Sequence, residues 1–545
     1  MPDPINSLPH PKGRARWALV SVVVALLLFA PFIAAIYFRL EHLTYANESL
    51  AYRYFYTLRI LAGEQGVWAA QGFTLSTIQI LFHWISGSLS ADIDQLRGHL
   101  DLFGFVTIGL ITVFQALVLV AAMRSRHLNT IDRLLVILSI LAPIYATGPA
   151  GVYYTLLPDY YSLNVALNSL ALLLFILGIR KQGFSPSWFE LLGVSMVAGA
   201  MIANKISMLP VAAMMLLPWV IAGTPIKWLN MLVRAVFVGA ASLIITAAII
   251  FGFFLFDLSS VVLAAASWSK FVSDPGTEPN FWASLMASAN AYNYHWTVGI
   301  ASVVMLSTLF TLFSHGAGRL RTAVIMLSAL LVVVSWSYFI WKRPANTTLF
   351  EANNALIVAM SALAALPKSY DVRRGLAAGM AISFALISVI TFPLVSQIDR
   401  LSISRASGDN RWQFFNEIRQ RSGNDPVTVI LPTNEFGHGG VHELLLKGMS
   451  LPPTWEVGEG GRGELKRMGL HLTFKHYYSG VGDFGQKLPT GSWILWFEKP
   501  GRHEIQEMTP PLNRLLSHGE PSFSWHLPGN DLLPAMDAYM VKVPN

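Results

Sequence analysis

Two carboxylates and three cations stand at the ends of long apolar runs: Glu48 in "YANESLAY", Asp159 in "TLLPDYYS", Lys205 in "ANKISMLP", and Lys342 with Arg343 in "FIWKRPAN". A carboxylate can take a proton from an attacking hydroxyl or amine. A lysine or arginine can hold an anion, or stabilise a leaving phosphate as charge develops on it. Together the five suit acid–base chemistry on an anionic substrate. Each also has a plainer reading. Asn47 can cap a helix with Glu48 near its positive end, and Asp159 after Pro158 can be a turn residue. Lys205 can snorkel from a helix end, and Lys342 and Arg343 can bind lipid headgroups. His295 in "AYNYHWTV" reads more readily as an interfacial histidine than as a base, and Asp257 in "LFDLSS" as a helix-end residue. What sets the five apart is their placement on one side of a membrane, which the surrounding elements imply.

Of 545 residues, 54% are hydrophobic and 13% charged, and the mean hydropathy is +0.50. An ordinary soluble chain is excluded, and the class is a polytopic membrane protein. There is no cysteine, hence no disulfide framework, thiolate metal site or thiol nucleophile. The net charge of +7 does not point to nucleic acid, because the lysines and arginines fall mostly in short loops between apolar runs, where they set topology.

The first apolar run, Trp17 to Phe38, follows "PHPKGRAR" and is too long for a signal-peptide core. Others fall near 102–123, 134–150, 161–179, 188–203, 206–222, 235–256, 297–313, 322–340, 350–366 and 376–393. The expected fold is therefore mainly α, a transmembrane helical bundle of about eleven spans. With the N-terminus in the cytoplasm, six basic loops obey the positive-inside rule: Arg14 and Arg16, Arg124 and Arg126, Arg180 and Lys181, Lys227 and Arg234, Arg319 and Arg321, and Lys368 with Arg373 and Arg374. Glu48, Asp159, Lys205, Lys342 and Arg343 then share the outer side of a bacterial inner membrane.

In this orientation the membrane domain covers residues 1–396 and has an outer loop at 39–101, in which "FTLSTIQILFHWISG" reads as an interfacial amphipathic helix. Residues 397–545 read as an extracytoplasmic α/β domain. There "VTVILP", "GSWILWFEK" and "AYMVKV" are expected strands, "NRWQFFNEIRQR" an amphipathic helix, and "GEGGRGEL" and "LPPTW" loops.

One segment carries a resemblance. "LLGVSMVAGAMIANKISMLPVAAMMLLPWVIAG" resembles a stretch of GT-C fold polyprenyl-phosphate-sugar glycosyltransferases, the protein O-mannosyltransferase and aminoarabinose transferase group in particular, in which a G...G....TK.....P....LPW pattern turns from one span to the next. In that family the first outer loop carries an Asp-Glu pair after an aromatic. Glu48 matches the Glu, whereas Asn47, two residues after Tyr45, stands where the aspartate is expected. An amide cannot take a proton as a carboxylate does.

The resemblance further implies that Asp159, followed by Tyr160, is the acid of the second outer loop and shares the catalytic role with Glu48. Lys205, Lys342 and Arg343 would bind the donor phosphate, with Asn47, Tyr45, Tyr160 and His295 as neighbours. The implied partners are a polyprenyl-phosphate sugar donor, a glycan, lipid or protein acceptor, and the bilayer. No cofactor is implied with certainty, and a divalent metal stays open. A non-catalytic protein that binds or transports a lipid-linked sugar is the alternative that Asn47 favours.

Overall fold

Inside a bilayer no water pairs with the backbone, so an apolar segment must satisfy its own N–H and C=O groups, which a helix does. The computed structural model describes residues 11–37, 72–85, 93–124, 160–180, 184–223, 228–273, 427–431, 454–458, 462–466, 472–476, 490–498, 500–503, 510–517, 521–528 and 535–544, with scattered positions in 133–141, 356–360 and 410–425. The helices of the first half are α1 (Pro11–Tyr37), α2 (Phe73–Ile85), α3 (Ile93–Arg124), α4 (Tyr160–Arg180), α5 (Trp188–Asn204), α6 (Leu209–Ile221), α7 (Trp228–Phe253) and α8 (Leu258–Ser273). Six of them fall on predicted apolar runs and α2 on the predicted interfacial segment. Among the described residues, α7 is the helix long and apolar enough by itself to cross a membrane. The runs beyond α8 lie outside the described residues, apart from Leu356 and Met360, which are helical and buried in the main core.

Two boundaries differ from expectation. Helix α3 starts at Ile93, inside the stretch assigned to the outer loop. Its first turns, "IDQLRGHL", carry charges that no apolar run signals, yet they continue the same helix. Helix α8 was not anticipated, and Asp257 explains where it begins. The Asp257 carboxylate accepts hydrogen bonds from the backbone N–H groups of Ser259 and Ser260 and from both hydroxyls, as a helix-end residue should. The turn before it holds Leu255 and Phe256 at φ 49° and 65°. This left-handed backbone costs a non-glycine residue roughly 1–2 kcal/mol.

Helix α4 is central, packing on α3, α5 and α6, while α5 also packs on α7. Lipid tails are as apolar as leucine, so helices associate here through close packing and hydrogen bonds rather than through burial from water. Small residues permit this. A Cβ on Gly199 would lie 2.7 Å from Ile245 Cγ2 and 2.9 Å from the Ser242 carbonyl oxygen, and one on Gly178 would lie 2.8 Å from Trp219 Nε1. Thr246 Oγ1 shares its proton between the Ser242 carbonyl of its own helix at 2.8 Å and the Gly199 carbonyl at 3.1 Å, and Trp219 Nε1 donates to the Leu174 carbonyl at 3.1 Å. Gly193, on the same helix as Gly199, has no atom within 4 Å of its Cβ position. Gly199→Ala is therefore expected to destabilise by about 1–3 kcal/mol through overpacking. Gly193→Ala should be neutral or stabilise by up to about 1 kcal/mol through helix propensity. Thermal unfolding of both variants in the same detergent checks the contrast.

The C-terminal part contains β1 (Val427–Leu431), β2 (Thr454–Gly458), β3 (Arg462–Lys466), β4 (Leu472–His476), β5 (Trp493–Glu498), α9 (Pro510–Leu516), β6 (Phe523–Leu527) and β7 (Met536–Lys542). Five strands form a mixed sheet in the order β4-β1-β5-β7-β6. β1 runs parallel to β4 and β5, and β7 antiparallel to β5 and β6. Alternation along β5 sends Ile494 and Trp496 toward α9, and Phe497 toward Phe414 on the opposite face. The sheet is thus sandwiched between α9 and the predicted helix of "NRWQFFNEIRQR", of which Asn410, Phe414, Ile418 and neighbours are helical.

Lys542 Nζ donates to Asp425 Oδ2 at 2.9 Å, and this bond holds the Asp425 carboxyl below its ordinary range. The two predicted loops are a correction. Trp455 and the "RGEL" residues lie in β2 and β3, an antiparallel hairpin in which Trp455 pairs with Leu465. The glycines of one and the proline pair of the other favour loop, but backbone pairing over five residues overrides that local preference.

Candidate functional site

Lys205 is where a helix stops. Helix α5 begins with a capping box, in which Ser187 Oγ accepts from the Glu190 N–H and Glu190 Oε2 from the Ser187 N–H. Its 17 residues carry the chain about 25 Å. A continuous helix would set Pro210 against the carbonyl of Ile206. Instead Lys205 turns out in an extended conformation, φ −158° and ψ 128°, a single 3₁₀ turn follows over Ile206–Met208, and Pro210 falls in the first turn of α6. The break is pinned on both sides. The Lys205 N–H donates to the Met201 carbonyl at 3.0 Å, and its own carbonyl accepts from the Met208 N–H at 2.9 Å.

Two other elements meet this corner. The Gly72 N–H donates to the Asn204 carbonyl at 2.8 Å, and Thr74 Oγ1 to the Ala200 carbonyl at 2.6 Å. These bonds fix the start of α2 to the end of α5. Phe73 packs edge-on against Phe253, with ring centroids 5.3 Å apart, so the end of α7 is there too. From α4, Asn164 Oδ1 accepts from Asn204 Nδ2 at 2.7 Å, with both residues fully buried. The N-termini of α2, α4 and α6 thus converge on Lys205. The C-terminal ends of α5 and α7 reach the same corner, so helix ends of both signs meet around the lysine.

The far end of α5 lies beside Arg234, whose guanidinium donates to the Ala222 carbonyl and, at 2.7 Å, to Ser185 Oγ. Lys205 and Arg234 therefore mark opposite ends of α5.

Helix α2 has a mixed inner face: Thr74, Ser76 and Gln79 are buried beside Phe73, Leu75 and Ile80, whereas Ile78, Leu81, Trp84 and Ile85 are exposed. The exposed face is thus apolar, as suits a helix that meets lipid on its outside, and threonine hydroxyls find partners within, Thr74 at the Ala200 carbonyl and Thr77 at the Ile249 carbonyl.

Of the residues expected to act, the structure places Lys205 at this corner and the backbone of Tyr160 at the first position of α4, so Asp159 directly precedes a helix that the corner holds. Tyr45, Asn47, Glu48, Asp159, His295, Lys342 and Arg343 lie outside the described residues. Sequence reasoning passed over Asn164, Asn204 and Thr74. The available signal was amides within apolar runs, Asn164 and Asn168 one turn apart in "SLNVALNSLALLLF" and Asn204 where the resembled pattern has threonine. Among the described residues no group of three or more His, Asp or Glu side chains could hold a metal ion.

No family model matches the sequence, and no curated protein matches it. Solved structures do. The Archaeoglobus fulgidus oligosaccharyltransferase tethered with an acceptor peptide aligns at 12% identity and a TM-score of 0.42, covering 81% of this chain and 64% of that one. The chain thus spans less than two thirds of that protein's length. ArnT from Cupriavidus metallidurans, bound to undecaprenyl phosphate, aligns at 10% identity and a TM-score of 0.51, covering 96% of this chain and 98% of that one. The likeness to ArnT runs through nearly the whole of both chains and bears out, at the level of fold, the resemblance first carried by the Lys205 segment: this chain is similar in fold to ArnT.

Proposed function

We propose that the protein is an inverting glycosyltransferase that moves a sugar from a polyprenyl-phosphate donor to an acceptor at the outer face of the bacterial inner membrane. The observation that carries this reading is the convergence of three helix N-termini on Lys205, beside the helix that Asp159 precedes. The isoprenoid stays in the bilayer along the exposed apolar side of α2, and the phosphate lies at Lys205, with Lys342 and Arg343 as further cations. The acceptor hydroxyl or amine attacks the anomeric carbon from the side opposite the phosphate and inverts it. Asp159 or Glu48 takes the acceptor proton, the C–O bond to phosphate breaks, and the cations stabilise the released polyprenyl phosphate.

A second reading, binding or transport without transfer, is favoured by the amide of Asn47. The two part in one assay, in which purified protein in nanodiscs receives an undecaprenyl-phosphate sugar and candidate acceptors. Release of free undecaprenyl phosphate supports transfer; saturable binding with no release supports the second reading and removes the first.

The same proposal sets a topology of about eleven spans with the N-terminus cytoplasmic and the C-terminal domain outside. Reporter fusions after residues 128 and 545 should read cytoplasmic and external respectively. Two reporters on the same side would refute this topology.

A further inference from the structure

Asparagine is a poor choice for a tight helix contact inside a bilayer unless the contact needs a hydrogen bond. Asn164 and Asn204 are each 0% exposed and share one such bond, Asn204 Nδ2 to Asn164 Oδ1. The pair is not optimal for stability, because Asn164 Nδ2 is buried with no hydrogen-bond partner among the described residues. An unmade bond of this kind carries a desolvation penalty that an apolar pair would avoid. Its merit is geometric. Asn164 lies one helical turn from Tyr160 and five residues from Asp159, and Asn204 is adjacent to Lys205. The bond therefore joins the helix start that follows a carboxylate to the corner that carries a cation, across 40 residues of sequence. The corner itself is held separately, through the Gly72–Asn204, Lys205–Met201 and Met208–Lys205 backbone bonds.

We propose that Asn164 is a positioning residue for sugar transfer: by accepting from Asn204 it sets the start of α4, the helix that follows Asp159 in sequence, against the Lys205 corner. The proposal rests on the transferase reading and adds the contact that registers α4 on that corner.

Asn164→Leu removes the acceptor and the stranded donor together while roughly keeping volume, so folding should survive. Asn164→Asp keeps an acceptor for Asn204 Nδ2. A misplacement of the order of 1 Å costs about 10²-fold in rate, so Asn164→Leu should lower kcat by about that factor with little change in KM for the lipid-phosphate sugar. Asn164→Asp should recover most of the loss. A readout independent of activity is available because the chain has no cysteine. Spin labels on cysteines introduced at Ser162 and Ile206 should give a narrow distance distribution that broadens or shifts in Asn164→Leu and narrows again in Asn164→Asp.

Normal turnover in Asn164→Leu with unchanged spin-label distances overturns the clamp and leaves the transferase reading intact. Equal loss in the Leu and Asp variants with unchanged distances also overturns it. Absence of turnover in the unmodified protein overturns the transferase reading and the catalytic role together. If Asn164→Leu fails to accumulate, Asn204→Ala breaks the same bond from its other side, and normal kcat in that variant overturns the proposal.

Discussion

Asp159→Asn is expected to lower sugar transfer by about 10²- to 10⁴-fold, the usual contribution of a general base, while leaving protein abundance and donor binding intact. The substitution keeps size and polarity and removes only the capacity to take a proton. Asp159 is singled out because the residue after it opens α4, and α4 is bonded through Asn164 to the residue beside Lys205. Glu48→Gln should act in the same direction if the two acids share the role. If both variants kept full turnover in a reconstituted assay, the carboxylate mechanism would be wrong. Asn47→Asp probes the remaining question at this site. A rise in transfer would identify an attenuated enzyme, and no change would put the base elsewhere.

Lys205→Ala should weaken binding of a polyprenyl-phosphate donor by about 10- to 150-fold, which is what a charge-assisted hydrogen bond of roughly 1.5–3 kcal/mol supplies. The corner should survive the substitution, because the bonds that shape it are made by the backbone of residues 201, 205 and 208 and by Asn204. Binding of the neutral isoprenol should hardly change, since only the phosphate meets the cation. Lys342→Ala and Arg343→Ala are expected to follow the same pattern. Arg343→Lys should be milder than Arg343→Ala yet measurable if the guanidinium grips the phosphate with two bonds. Equal weakening of phosphate and alcohol binding would show instead that these residues support the fold or the lipid boundary.

The sequence by itself determined the membrane class, the positions of α1 and α3 to α7, the interfacial segment that became α2, and the break at Lys205. These are local properties. An apolar run in a bilayer has one way to pair its backbone, and a proline five residues past a lysine limits where a helix can continue. Strands β1, β5 and β7 were legible for the same reason, through runs of apolar and β-branched residues. The β2–β3 hairpin was not, because its glycine-rich composition favours loop and only cross-strand pairing reveals it.

What tertiary structure alone decided is what surrounds the lysine. That Gly72 would bond to Asn204, that Asn204 would reach Asn164, and that three helix starts would face one corner depends on how helices far apart in sequence settle against one another. Periodicity does not encode that meeting. It follows from glycines at 178 and 199 that let α4 meet α6, and α5 meet α7, at close range, and from buried amides and hydroxyls that must find partners where there is no water.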